Sequence, residues 1–106
     1  MSAWSATPSP RLALLVPLTA TVTSGQAAAV TLTPTSGRPV AAWRIKRLAA
    51  SAGTLHYKAD GTADGTGDYQ LTSADPDSGW IWSSDASVSV YAGGGDVVYE
   101  IARLQG

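Results

Sequence analysis

Apolar and polar residues alternate along much of this chain with a period of two, rather than the period of about 3.6 that an α-helix requires. In the segment "AWRIKR", Trp43 and Ile45 alternate with Arg44 and Lys46. This pattern predicts a strand with one buried face and a basic outer face. Similar short segments recur along the chain, separated by glycine, proline, serine and aspartate.

Seven or eight short strands are predicted from this pattern. The segments that carry it are residues 12–24 (interrupted by Pro17), 28–34, 40–50, 53–59, 68–71, 79–84, 86–92 and 96–104. Their regular spacing, with turn residues between them, predicts an all-β fold, an antiparallel β-sandwich of the jelly-roll type. The glycine-rich connection "AGGGD", residues 92–96, predicts a hairpin between the last two strands.

Residues 1–16 are predicted to form an extended arm, and residues 17–106 the sandwich domain. The arm has one large aromatic side chain, Trp4, which belongs either to a frayed terminus or to a contact with a neighbouring subunit. Its apolar run "LALLV" is far shorter than the roughly 20 residues that a membrane helix needs. Neither a transmembrane segment nor an export signal is therefore predicted.

The composition narrows the classes of function. A chain of 106 residues forms one domain, and the absence of cysteine excludes disulfides, a thiolate nucleophile and a zinc knuckle. His56 is the only histidine, and no motif near it supplies the nucleophile or carboxylate that a catalytic histidine needs. We therefore expect His56 on the surface or in an interface, and a protein with neither enzymatic activity nor a cofactor.

The charged residues are distributed unevenly. All basic residues except Arg103 precede residue 60, and all eight acidic residues follow from Asp60 onward. Two halves of opposite charge can pair within the fold or between adjacent copies, or can lie scattered on a solvated surface. Basic residues are too sparse in the window 38–58 to predict nucleic-acid binding, and the net charge of the chain is −1.

The segment "YKADGTADGTGDYQL", residues 57–71, raises the question of a metal site. Asp60, Asp64 and Asp68 fall at positions 1, 5 and 9 of a calcium loop of the helix–loop–helix type. Position 12, which should supply a bidentate glutamate, is Leu71, and the flanking segments are predicted strands. The aspartates and glycines are therefore predicted to form a long structural turn, with weak cation binding as the alternative.

Trp80 and Trp82 alternate with Ile81 in a short predicted strand, and so share one face. A chain without phenylalanine must build its aromatic packing from tryptophan and tyrosine, so both side chains can belong to the core. They can also lie in a protein interface, or form a platform on which sugar rings stack.

The second half of the chain resembles small β-sandwich structural proteins of tailed bacteriophages and related virus-like particles. Those proteins have an "R-I-x-N" strand, then "G-x-x-x-Y-x-R/K", a "DG-x-A" turn, a "D-Y-x-L" segment and closing strands that contain tyrosine. The matching residues are Arg44, Ile45, Gly53, Tyr57, Lys58, Gly61, Ala63, Asp68, Tyr69, Leu71, Tyr91 and Tyr99. The resemblance covers roughly residues 40–104, and Arg47 stands where the strand usually carries asparagine.

The resemblance implies a virion component, such as a capsid decoration or cement protein, a head-fibre base or a tail-associated protein. It would be assembled in the bacterial host cytoplasm as a symmetric oligomer, with other copies of itself and phage capsid or tail proteins as partners, and without nucleic acid or membrane. The residues predicted at interfaces are Trp4, Arg44, Lys46, Arg47, Asp60, Asp64, Trp80 and Trp82. The alternative is a carbohydrate-binding β-sandwich module in which Trp80 and Trp82 form the stacking platform.

Overall fold

A computed structural model of the chain describes residues 12–106, and these residues form strands and connections without a helix. The eight strands are β1 (Ala13–Leu14), β2 (Leu18–Val22), β3 (Ala27–Thr31), β4 (Ala42–Arg47), β5 (Thr54–Lys58), β6 (Tyr69–Leu71), β7 (Ser87–Gly93) and β8 (Val97–Gln105). All strand pairs are antiparallel, and they form two four-stranded sheets. The prediction of an all-β sandwich is therefore confirmed.

Sheet A consists of β1, β2, β4 and β8, with β8 at its centre. Leu104 pairs with both Leu14 and Ala42, and β2 and β4 overlap in the same way along β8. Since a strand has only two edges, β4 must lie along one edge of β8, and β1 and β2 follow each other along the other. Pro17 separates these two short strands, because proline cannot donate a hydrogen bond to the ladder.

Sheet B has the strand order β3-β7-β5-β6. Residues 77–81 add a short extended segment to the free edge of β4 in sheet A, with antiparallel bridges from Asp77 to Lys46 and from Ile81 to Trp43. Counting this segment as a strand position, the pairs are β2 with β8, β3 with β7, β4 with the segment, and β5 with β6. These nested pairs, first with last and second with second-to-last, are those of a jelly roll.

The core lies between the two sheets, where the alternation of each strand directs its apolar side chains. Trp43 and Ile45 of β4, Leu55 of β5 and Ile101 of β8 are at most 1 % exposed. The ring of Trp43 packs edge-on against Tyr57, with centroids 6.1 Å apart, and its Nε1–H donates to Asp85 at 3.0 Å. That hydrogen bond satisfies a polar atom that would otherwise be buried without a partner.

A buried arginine continues the row of inward-facing side chains at each end of the core. Arg47 follows Trp43 and Ile45 in β4, and Arg103 follows Tyr99 and Ile101 in β8; both arginines are 8 % exposed. Both guanidinium groups donate hydrogen bonds to backbone carbonyl oxygens. They close the core with polar contacts where the two sheets end.

The predicted hairpin across residues 92–96 is wrong, because β7 and β8 lie in different sheets. The connection instead carries the chain from sheet B to sheet A, over Gly53, and the amides of Ala52 and Gly53 donate to the carbonyl oxygen of Asp96. Positive φ angles at Gly94 and Gly95, of 76° and 146°, allow this reversal.

Two residues of the predicted arm are part of sheet A, because Ala13 and Leu14 pair with Gln105 and Leu104 of β8. Residues 1–11, including Trp4, lie outside the described part of the chain. The division into an arm and a sandwich domain at residue 16 stays a prediction.

The close approach at Gly53 leads to a stability prediction. A Cβ atom at residue 53 would overlap the carbonyl oxygen of Gly95 and would lie 2.7 Å from that of Gly93. We expect Gly53→Ala to lower the free energy of unfolding by more than about 3 kcal/mol, measured by urea denaturation. Gly37→Ala is the control, because a Cβ there meets nothing within 4 Å and only φ of +84° opposes it. The control should lose about 1 kcal/mol, and equal losses in the two variants would contradict the packing argument.

Candidate functional site

The first three strands form a side of the sandwich without charge. Residues 12–37 contain no aspartate, glutamate, lysine, arginine or histidine, and they include β1, β2 and β3. β1 and β2 form one edge of sheet A, and β3 forms an edge of sheet B. We call these three strands the uncharged side.

The two edges of the uncharged side are held together at both ends. At one end a short turn, residues 23–26, joins β2 to β3, and the amide of Ser24 donates to Asp96 at 2.8 Å. At the other end Arg103 donates to the carbonyl oxygen of Val16, before β2, at 3.1 Å and to that of Leu32, after β3, at 2.9 Å. One guanidinium therefore connects the edges of the two sheets.

Strand β3 itself has no charged residue, proline or bulge, three of the features that usually prevent a sheet edge from pairing with another chain. Charged residues, proline, bulges and covering segments normally serve that purpose. β3 has the sequence "AAAVT" and pairs with β7 in one unbroken register from Ala27 to Thr31. On its other edge no described strand pairs with it. Within residues 12–106, its outward amide and carbonyl groups therefore have no strand as a partner.

Apolar side chains are exposed on and around sheet A. Leu12 is 42 % exposed, Leu14 is 64 % exposed and Val16 is 80 % exposed. Leu14 is opposite Leu104 on the outer face of the sheet. At the opposite edge Trp82, which directly follows the bridged Ile81, is 65 % exposed, whereas Trp80 is half-buried. Four of the five exposed large apolar side chains of the described residues therefore belong to sheet A or its borders.

The predicted basic face of β4 is present, and one of its two cations is paired within the fold. Arg44 makes a bidentate ion pair with Asp77, with hydrogen bonds of 2.8 and 3.0 Å from Nε and a further short one from Nη2. Lys46 lies opposite Glu100 in the sheet register. The basic and acidic halves of the chain thus meet at this face of sheet A, although the interface prediction for Arg44 and Lys46 is not tested by this pairing.

Arg47 lies on the other face of β4 from Arg44 and Lys46. Its Nε donates to the carbonyl oxygen of Gly53 at 2.7 Å and its Nη2 to that of Ser51 at 3.1 Å. The alternation could have shown this, because residue 47 has the same parity as the two buried residues Trp43 and Ile45. A cation at the end of a buried row is easily assigned to the surface from sequence.

The aspartate-rich loop caps its own turn and covers part of sheet B. Asp68 accepts hydrogen bonds from the amides of Asp64 and Gly65 at 2.9 and 2.8 Å, and Asp64 accepts one from Thr66 at 2.8 Å. This confirms the prediction of a structural turn for Asp64 and Asp68. The described residues contain no cluster of three or more metal-ligating side chains. Asp60 and Asp64 are both exposed, and their position in an interface stays a prediction.

The same loop lies on the outer face of sheet B. The amide of Ala63 donates to the hydroxyl of Ser89 at 2.9 Å, and Ala63 is 1 % exposed. Gly65 lies so close to Tyr91 that a Cβ at residue 65 would be 3.1 Å from that ring. The loop is therefore packed on β7 rather than extended into solvent.

His56 lies on the outer face of β5 but is only 8 % exposed, so the expectation of a surface histidine is wrong, and an interface position stays a prediction. Its ring packs at a steep angle against Tyr91, with centroids 5.7 Å apart, and lies over Gly93. The missing side chain at Gly93 leaves the space that the imidazole fills. The burial of His56 could not be predicted from the sequence, because the residues that cover it belong to a neighbouring strand, β7.

The strand topology places the chain in the class of antiparallel jelly-roll β-sandwiches. Comparison with protein-family models, with curated proteins and with solved structures gave no match. Within residues 12–106 there is no helix long and apolar enough to cross a membrane.

The ion pair between Arg44 and Asp77 leads to a prediction of pH dependence. The hydrogen bonds from Arg44, helped by the amide of Gly79, lower the pKa of Asp77 from 3.8 to about 2. Because the unfolded chain then binds the proton at a higher pH than the folded chain, the stabilisation is complete above about pH 4 and is lost as the pH falls through 2.

We expect Asp77→Asn to reduce the free energy of unfolding by about 1 kcal/mol at pH 7, since this partly exposed pair is screened by solvent. The difference from the unmodified protein should shrink towards zero near pH 2, as measured by urea denaturation across the acid range. Asp60→Asn, in the exposed loop, is the matched control and should change stability less at pH 7. A deficit for Asp77→Asn that is independent of pH would contradict the assignment.

Proposed function

We propose that this protein is a non-enzymatic structural subunit of a tailed-phage particle, of the capsid decoration, cement or fibre-base kind. In this proposal it assembles as a symmetric oligomer on other particle proteins. The observation that carries the proposal is the uncharged side, where two adjacent sheet edges and several exposed apolar side chains lack any charge.

An uncharged sheet edge favours addition of another strand. Peptides and neighbouring subunits bind such edges through main-chain hydrogen bonds. The simplest symmetric arrangement pairs β3 with β3 of a second copy about a two-fold axis near Ala29. This pairing would join the two B sheets into one.

Strand pairing alone is too weak to hold such an assembly. A five-residue strand adds only a few hydrogen bonds, each contributing about 0.5–1.5 kcal/mol, whereas association costs on the order of 4–15 kcal/mol. Burying one exposed leucine or valine adds about 1.5–3 kcal/mol. The proposed interface must therefore include apolar contacts in addition to the strand pairing, and Val16 is a candidate because Arg103 links its carbonyl oxygen to that of Leu32, directly after β3.

The jelly-roll fold and the resemblance to phage structural proteins give the proposed structural role weaker support. Jelly rolls occur in viral capsid proteins and also in lectins, and a fold by itself does not define a function. The resemblance to phage structural proteins lies in residues 40–104, outside the uncharged side, so it is an independent reason for the proposal.

The assembly role predicts the effect of a single charge. Ala29→Lys would place two ammonium groups close together across the two-fold axis, and like charges directly opposite each other are destabilising. We expect the variant to sediment as a monomer under conditions in which the unmodified protein is oligomeric, with an unchanged circular dichroism spectrum. Ala74→Lys is the control, because this exposed alanine lies in the turn after β6 on the far edge of sheet B.

Sedimentation equilibrium of the full chain is the appropriate measurement. A monomer for the unmodified protein, or identical masses for the two lysine variants, would contradict assembly through β3. The virion location is tested separately by mass spectrometry of purified particles, in which this chain should be present in many copies, and by capsid and tail genes flanking its own gene.

Carbohydrate binding is the second candidate, and the 65 % exposure of Trp82 favours it. Stacking on an exposed indole would quench or shift its fluorescence. We expect a glycan panel titrated against the full chain to change tryptophan emission saturably if this role is correct, and the change should be absent in Trp82→Ala. Trp43 contributes a constant background to the emission, because it is 1 % exposed and cannot contact a glycan. Unchanged emission across the whole panel would contradict glycan binding.

A further inference from the structure

A cavity of about 470 Å³ opens at the end of the sandwich where β4 finishes. Its walls come from the end of β4, from the turn after it and from the turn after β6. The lining residues are Lys46, Arg47, Leu48, Ala49, Ser51, Ser73 and Pro76. This volume is within the range of about 300–1,000 Å³ that is usual for small-molecule sites.

Arg47 gives this cavity a cation without a counter-ion. Its two hydrogen bonds go to neutral carbonyl oxygens of Ser51 and Gly53, and within residues 12–106 no carboxylate lies within ion-pair distance of it. A guanidinium has five N–H donors, and Nη1 of Arg47 donates to no described protein atom. Free donors on a cation that is 8 % exposed and lines a cavity favour an anionic partner, because hydrogen bonds between ionised groups are the stronger ones.

The other charges near the cavity do not neutralise Arg47. Lys46 adds a second cation to the wall. Asp77 is held by Arg44, and Glu100 lies opposite Lys46 on the outer face of sheet A; neither carboxylate lines the cavity. The lining thus combines two cations with no acid.

The remaining walls indicate the rest of the ligand. Leu48, Ala49 and Pro76 are apolar, so a small inorganic anion would leave them uncovered. A carboxylate matches the planar fork of an arginine, and a short hydrocarbon attached to it would cover the apolar wall.

We propose that this cavity binds a carboxylate carried on a short apolar chain, with Arg47 and Lys46 as the anion-binding residues. The inference is independent of the assembly role, since the cavity lies away from β3 and its flanking apolar residues. Two sources supply this chemistry: a free small carboxylic acid, and the C-terminal carboxylate of a partner protein that ends in an apolar residue.

The test is a titration of the full, ¹⁵N-labelled chain followed by amide chemical shifts at constant ionic strength. The probes are hexanoate, an acetylated dipeptide with a C-terminal leucine carboxylate, and two neutral counterparts, hexanol and the amidated dipeptide. We expect saturable shifts confined to residues 48–51 and 73 with a carboxylate probe and not with its neutral counterpart. Tighter binding of hexanoate would assign a free acid, and tighter binding of the dipeptide a protein terminus.

The variants separate the anion site from general effects of charge. Arg47→Lys keeps the charge but loses the fork, and should weaken carboxylate binding about tenfold. Lys46→Gln changes an exposed side chain that holds no part of the core, and should weaken it about threefold. Arg38→Gln, an exposed arginine outside the cavity, should leave binding unchanged. Equal shifts with hexanol, no saturable shift with either carboxylate, or an equal loss in Arg38→Gln would overturn the proposal.

Discussion

The hydrogen bonds of Arg103 are the constraint on which the uncharged side depends. This guanidinium lies between the sheets and donates to Val16 next to one edge and to Leu32 next to the other. A buried cation that lacks such carbonyl partners lowers the stability of the fold by several kcal/mol. Two edges from different sheets are therefore kept in one fixed relation, and they can act as a single surface.

Charge is distributed over the molecule so that this surface stays free of it. The outer face of sheet A has the Arg44–Asp77 pair, and the outer face of sheet B is covered by the aspartate-rich loop. Neither outer face is therefore suited to the stacking of a second sheet. Among residues 12–106, the side formed by β1, β2 and β3 combines an unpaired edge strand and exposed apolar side chains with an absence of charge. The other edge of sheet B, β6, also has an exposed aromatic side chain, Tyr69, but this residue directly follows Asp68.

The sequence predicted the strands well, because alternation reports directly which side chains face a core. It did not predict which strands pair, since alternation is the same whatever the neighbour; the supposed hairpin at residues 92–96 in fact joins two sheets. The burial of Arg47 could have been read from its parity with Ile45, whereas that of His56 could not, because the packing of Tyr91 and Gly93 from β7 buries it. The absence of charge in residues 12–37 is visible in the sequence, but only the topology shows that these residues form adjacent edges.

The two buried arginines, Arg47 and Arg103, have similar hydrogen-bond partners and differ in whether a ligand from solvent can reach them. Both are 8 % exposed, both bind backbone carbonyl oxygens, and neither has a carboxylate partner among residues 12–106. The Nε atom of Arg103 is sealed from solvent without a partner, so a ligand cannot reach this atom, while the two Nη atoms bind the carbonyl oxygens that connect the sheets. Arg47 lines an open cavity, so the same uncompensated charge is accessible there to an anion from outside. Both arginines close the core at their own end of the sandwich, but only Arg47 is also accessible to a ligand.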